Sequence, residues 1–225
     1  MHSSAFPLKP MSSLDASSSS SATPIADGPA EASCLLLLAH GAGQGPASPF
    51  MQTVAGAVAA SGVRVIRFAF PYMVRSEQES RRRPPDREPV LTEAFLAQIA
   101  RHRGDAERLF IGGKSLGGRI ASLLADEAGV AGLVCLGYPF HPPGRPQRLR
   151  VQHLADLRTP TLICQGERDP FGRLGEVEGY PLSPAIRLAW IPDGEHSFKP
   201  RKASGRTWEE NLQLAAREVA RFLEV

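Results

Sequence analysis

Long hydrophobic runs are missing from this 225-residue chain. No segment approaches the roughly 18 consecutive apolar residues that a membrane helix needs, so no membrane association is expected. Cysteine is scarce: Cys34, Cys135 and Cys164 are the only three, an odd number with no C-x-x-C pair. Each sits inside an apolar run (CLLLLAH, GLVCLGY, TLICQG). That excludes a disulfide framework and a thiolate metal site, and points to reduced core thiols. An excess of one charge is lacking too, with 26 basic against 23 acidic residues and a net charge of +3. Aromatic residues are 7% of the chain and do not interleave with the basic ones, so no nucleic-acid surface is expected. The N-terminus has no apolar core of a secretory signal. Together with the reduced thiols this gives a cytoplasmic location as the expectation. The length suits one α/β domain with a substantial core, and is short for two.

Residues 1–31 are rich in Ser, Ala and Pro, with a serine run at Ser17–Ser21 and a second candidate start at Met11. Such a stretch buries too little apolar surface to offset its ordering entropy, and it is expected to be a disordered tail. The domain is then expected over 32–225. From Cys34 the pattern becomes regular. CLLLLAH is an unbroken apolar run, as a strand buried on both faces requires. VRVIRFAF, RLFIGG, GLVCLGY, TPTLICQG and IRLAWIP read as further strands. Helices are expected from Phe50 to Ala60, Leu91 to about Arg101, Leu116 to Asp126 and Thr207 to Leu223. Thr207 is the predicted N-cap of the last, with Glu209 and Glu210 in its first turn. The polar stretch from Tyr72 to Pro89 is expected to be loop. Strands alternating with helices imply a mostly parallel sheet with helices on both faces, and a ligand site at the carboxyl ends of the strands.

GGKSLGGR, Gly112 to Arg119, carries the chemistry and has two readings. Gly113-Lys114-Ser115 resembles the end of a phosphate-binding loop, but that loop needs a glycine at 108, where Arg108 stands. RLFIGG also runs straight into Gly113, leaving no loop to wrap a phosphate. The other reading is G-x-S-x-G, a sharp strand-to-helix turn that presents Ser115 as a nucleophile. Neighbouring backbone comes so close in such a turn that small residues are needed at Gly113 and Gly117, and the serine between them is expected to sit in strained geometry. A serine needs a general base, itself oriented by a carboxylate. Downstream, Asp169 follows the fifth predicted strand and His196 the sixth. Both fall on the sheet edge that holds Ser115, in the order nucleophile, acid, base. Glu167 is a competing carboxylate, and Asp169 and His196 could each be plain loop residues. Their joint placement favours Ser115, Asp169 and His196 as a triad.

An oxyanion hole needs backbone N–H donors aimed at the developing negative oxygen. Leu116, just after the nucleophile, supplies one. Ala42 or Gly43 supplies the other from the turn His40-Gly41-Ala42-Gly43-Gln44-Gly45, with Ala42 preferred. This turn is not a dinucleotide fingerprint, because Pro46 occupies the position of the last glycine. His40 is expected to brace it.

These blocks (HGAG, VIRFAFPYM, GGKSLGGR, CLGYPFHPPG, LICQGERDPFG and DGEHSFKPRK) resemble bacterial α/β-hydrolase-like proteins related to dienelactone hydrolase. Eukaryotic relatives of that group include a non-catalytic subunit of a chromatin acetyltransferase complex. The resemblance runs from about residue 34 to the end. It implies the α/β-hydrolase fold, here compact and without a large cap domain. Dienelactone hydrolase uses a cysteine nucleophile where this chain has Ser115, so its lactone chemistry does not carry over. The expected function is a serine hydrolase that cleaves a carboxylic ester or thioester of a small molecule. It needs no cofactor and no metal, and its oligomeric state is left open. The alternative is a catalytically silent scaffold or protein-binding domain. His40, Phe70, Tyr72, Phe140, His141 and Lys199 follow strands at the active edge and are candidate substrate contacts, with Phe70 and Phe140 reading equally as core or pocket wall. Arg81-Arg82-Arg83 reads either as a solvated loop or as a contact for an acidic substrate or partner.

Overall fold

The computed structural model describes residues 23–224. The Ser17–Ser21 run and Met11 lie outside the described residues. The chain forms an α/β fold with seven strands and seven α-helices among the described residues. The strands are β1 (Ile25–Asp27), β2 (Cys34–Ala39), β3 (Arg64–Phe68), β4 (Arg108–Lys114), β5 (Gly132–Leu136), β6 (Thr161–Gly166) and β7 (Ile186–Ile191). They form one sheet in the order β1-β3-β2-β4-β5-β6-β7, parallel throughout except for the antiparallel β1–β3 pair. The longer helices are α1 (Pro49–Ala59), α2 (Pro71–Gln78), α3 (Glu88–His102), α4 (Leu116–Ala128) and α7 (Trp208–Leu223). The short helices α5 (Gln152–Ala155) and α6 (Leu174–Val177) lie in the connections around β6.

The apolar runs are unbroken because both sheet faces are covered, and alternate residues still part to opposite sides. Leu35 and Leu37 of β2 pack toward α3 and α4 with Phe95, Ile99, Ile120 and Leu124. Leu36 and Leu38 pack toward α1 and α7 with Val54, Val58, Leu212 and Val219. Each fully buried leucine contributes about 2 kcal/mol of transfer free energy. The three cysteines are buried and unbridged. Thr207 caps α7: its side chain accepts from the Glu210 amide while Glu210 bonds back to the Thr207 amide. No helix among the described residues is long and apolar enough to cross a membrane.

Two expectations are corrected. Pro71–Gln78 is a helix, not loop. Pro71 sits at its first position, where a missing N–H costs nothing, and only Tyr72 and Val74 are buried, so the apolar signal is weak. The stretch expected to be disordered up to residue 31 also contains β1. Ile25–Asp27 pairs with Val65–Arg67, and Asp27 accepts two hydrogen bonds from the Arg67 guanidinium, at 2.8 and 3.0 Å.

The strand order places the site. The connections reverse direction between β2 and β4, which lie side by side with Ala39 opposite Gly113. A crevice opens beyond the carboxyl ends of two strands at such a switch point. The turn from His40 to Gly45 and Ser115 both emerge there.

Candidate active site

Ser115 occupies the turn between β4 and α4 with φ 50° and ψ −109°, a conformation costly for a residue with a side chain. The turn holds it there: the Ser115 amide donates to Leu136 O at 3.0 Å, and its carbonyl accepts from Arg119 N at 3.0 Å. The glycines are required by close approach. A Cβ on Gly113 would lie 2.5 Å from the Gly117 carbonyl carbon, and one on Gly117 would lie 2.5 Å from Ala39 O.

His196, in the turn after β7, reaches back over this elbow. Its Nε2 lies 2.8 Å from Ser115 Oγ and its Nδ1 lies 2.8 Å from Asp169 Oδ2. With the proton on Nδ1, the ring donates to Asp169 and accepts from the serine hydroxyl, the tautomer a general base requires. The three residues named from the sequence are brought together. Asp169 is fully buried. Its Oδ1 accepts from Phe171 N at 2.9 Å, and its Oδ2 also accepts from Gln165 Nε2 at 3.0 Å. Glu167, the competing carboxylate, instead accepts from the Asp193 amide at 2.8 Å.

Burial lowers the pKa of His196, the Lys114 ammonium lowers it further, and Asp169 opposes both. The imidazole is therefore held in its neutral, proton-accepting form. Lys114 is a buried cation that the sequence reading passed over as a variable position of G-x-S-x-G. Its Nζ donates to His196 O at 2.7 Å and lies 5.4 Å from the Phe50 ring centroid. Burial pulls its pKa down to about 8, against the Asp169 and Glu195 charges. Phe171 was passed over too; its ring lies 4.2 Å, centroid to centroid, from His196. Gln165, within the quoted LICQGERDPFG block, signalled its place beside Asp169 but not its role.

A cleft of about 300 Å³ opens in front of Ser115, lined by Gly41–Gln44, Ser48, Phe50, Met51, Lys114, Phe171, His196 and Ser197. Leu116 is the first residue of α4, where amides have no intrahelical acceptor. Ala42 and Gly43 form the facing wall.

The six candidate substrate contacts fall elsewhere. His40, Phe70, Tyr72, Phe140 and His141 are all buried, and none lines the cleft. Three of them shape its wall from behind. His40 Nδ1 donates to Gly41 O at 2.7 Å, the Tyr72 hydroxyl donates to the same oxygen at 3.0 Å, and Phe70 N donates to His40 Nε2 at 3.0 Å. Burial pulls the His40 pKa down to about 4, so the ring stays neutral as a brace. Phe140 packs on Tyr138 and Tyr180. His141 bonds to Pro142 O and Glu176. Lys199 is exposed beyond the cleft, its amide on Glu195 Oε1. Residues that follow a strand need not point into its crevice, and these aromatics turn back into the core.

A family model described as an alpha/beta hydrolase domain matches residues 32–224. Solved structures of similar fold include an alpha-beta serine hydrolase homologue from Coxiella burnetii (21% identity, TM-score 0.66, covering 88% of this chain and 91% of that one). A dienelactone hydrolase from Anabaena variabilis gives 24% identity and a TM-score of 0.66, covering 88% and 90%. A serine hydrolase without lid from Xanthomonas campestris gives 20% identity and a TM-score of 0.64, covering 98% and 99%.

Proposed function

The chain belongs to the alpha/beta hydrolase domain family, and from that premise we propose that it is a serine hydrolase cleaving a carboxylic ester or thioester. The observation that carries this reading is His196 bridging Ser115 Oγ and Asp169 Oδ2, 2.8 Å on each side. Ser115 Oγ attacks the carbonyl carbon as its proton passes to His196 Nε2. The buried Asp169 carboxylate stabilises the imidazolium. The N–H groups of Leu116 and of Ala42, or Gly43 beside it, receive the negative oxygen. Collapse of the tetrahedral intermediate breaks the bond to the alkoxide or thiolate, which leaves with the proton from Nε2. Water then attacks the acyl-Ser115, giving its proton to His196. A second collapse returns that proton to Ser115 Oγ and frees the carboxylic acid.

No step calls for a cofactor. Among the described residues the fold carries no large cap, and the cleft is open to small esters. The hydrolase domain spans 32–225 in this reading, with β1 as an added edge strand. The buried, unbridged cysteines support a cytoplasmic setting. A silent scaffold is the rival that the eukaryotic resemblance raises. Such a role gives no reason to keep Ser115 strained and hydrogen-bonded to a neutral histidine, and that favours turnover.

Rapid mixing with p-nitrophenyl esters tests the mechanism. A burst of nitrophenol stoichiometric with enzyme, lost in His196→Ala, is the expected result. Equal turnover by wild type and His196→Ala would overturn it.

A further inference from the structure

We propose that the cleft extends past the oxyanion turn into a subsite for a carboxylate of the substrate, held by the guanidinium of Arg82. The subsite rests on the serine-hydrolase reading and narrows its substrate to esters or thioesters that carry a second, anionic end.

A groove of about 440 Å³ lies against the active cleft, lined by Ala42, Gly43, Arg82, Arg83, Pro84 and Pro85. Ala42 and Gly43 line both spaces, so the turn that faces Ser115 is also the wall of this groove. Arg82 Nη2 comes within 3.8 Å of where a Cβ on Gly43 would sit. A substrate held at this turn and extended past Gly43 therefore meets the guanidinium.

The loop that carries Arg82 is anchored. Arg81 N donates to Ser76 O at 3.1 Å and Arg83 N to Ser76 Oγ at 3.0 Å. Arg83 pairs with Glu79, and Arg75 with Asp86 at 2.5 Å. All these partners sit on or beside α2, the helix whose Tyr72 hydroxyl holds Gly41 O. One helix thus positions both the oxyanion turn and the arginine. Among the described residues Arg82 itself makes no hydrogen bond or ion pair. Glu77 of α2 lies against Gly45.

Of the two arginines in the groove, Arg83 is neutralised by Glu79 at the end of α2 and Arg82 is left to the space. Pro84 and Pro85 add a stiff apolar lining, suited to a short hydrocarbon spacer. A guanidinium fork matches one carboxylate in a two-point hydrogen bond, and a single free cation matches a single negative charge.

The test uses two ester pairs matched except for charge: p-nitrophenyl hemiglutarate against p-nitrophenyl pentanoate, and 4-acetoxybenzoate against 4-acetoxybenzamide. The first pair puts the anion on the acyl side, the second on the leaving group. The readout is the anionic-to-neutral ratio of kcat/KM. In at least one pair, wild type should prefer the anion, and Arg82→Ala should lower the ratio about fivefold to tenfold. Arg82→Glu should lower it further, and Arg82→Lys should restore part of it. Ratios that are the same in wild type and all variants, in both pairs, overturn the subsite. Fluorophosphonate labelling of every protein separates the two ways of failing. Labelled wild type with an unmoved ratio removes the subsite alone, whereas unlabelled wild type removes the serine reading and the subsite with it.

Discussion

Ser115, Asp169 and His196 could be named from the sequence because each announces itself by residue type at a strand end. The strained backbone of Ser115 could be read from the glycines of its turn as well, but the buried ammonium beside His196 could not, since it depends on neighbours distant in the chain. Lys114 shows this most clearly. It occupies a position of G-x-S-x-G that tolerates any residue, yet its Nζ holds the His196 carbonyl at 2.7 Å. Phe70 and Phe140 show another limit: their places at strand ends left core and pocket wall both open, and both side chains lie in the core. The charge on Lys114 has a measurable consequence. His196 is faced by the cation of Lys114 and the carboxylates of Asp169 and Glu195. A nearby cation disfavours the imidazolium, so removing it raises the histidine pKa. Lys114→Met should therefore move the acid limb of the kcat/KM–pH profile upward, by about one pH unit, with Lys114→Arg moving it less. A limb that stays put or moves downward would show that Lys114 only packs.

At the scale of elements, the elbow is legible because its geometry leaves a chemical trace in glycine. β4 and α4 can meet at so sharp an angle only where side chains are absent. Gly117→Ala would push a methyl group to 2.5 Å from Ala39 O, a backbone atom of β2 that cannot rotate away. A loss of several kcal/mol in urea unfolding, or failure to yield soluble protein, is expected. Gly56→Ala makes the contrast. Gly56 is exposed in α1 with nothing within 4 Å of the added Cβ, so the same change should stabilise by roughly 0.5–1 kcal/mol. Equal effects at the two sites would mean that crowding does not govern the turn. Helix α2 was hidden for the opposite reason. Its proline start and its charged residues look like loop, and only Tyr72 and Val74 are buried. Its importance comes from what it touches, the turn from His40 to Gly45 on one side and the arginine loop on the other.

For the whole molecule, alternation of strand and helix was enough to foresee a mostly parallel sheet covered on both faces, and a cleft does open at its carboxyl edge. The edge strand β1 escaped because three residues in a polar context carry no periodicity. Its anchor is an ion pair across a long sequence interval: the Arg67 side chain is nearly buried and Asp27 neutralises it. Asp27→Ala should leave that guanidinium without its partner and cost about 2 kcal/mol in urea unfolding, a figure reduced for the partial exposure of Asp27. An unchanged midpoint would mean that β1 contributes nothing to the sheet. The central claim is that this fold brings one serine, and only one, to reactivity. Intact-mass analysis after treatment with a fluorophosphonate reads that on the entire chain at once, with Ser115→Ala beside it. A single adduct on wild type, and none on a folded Ser115→Ala variant, is the predicted result. An unmodified wild type, or an adduct that persists in the variant, would contradict it.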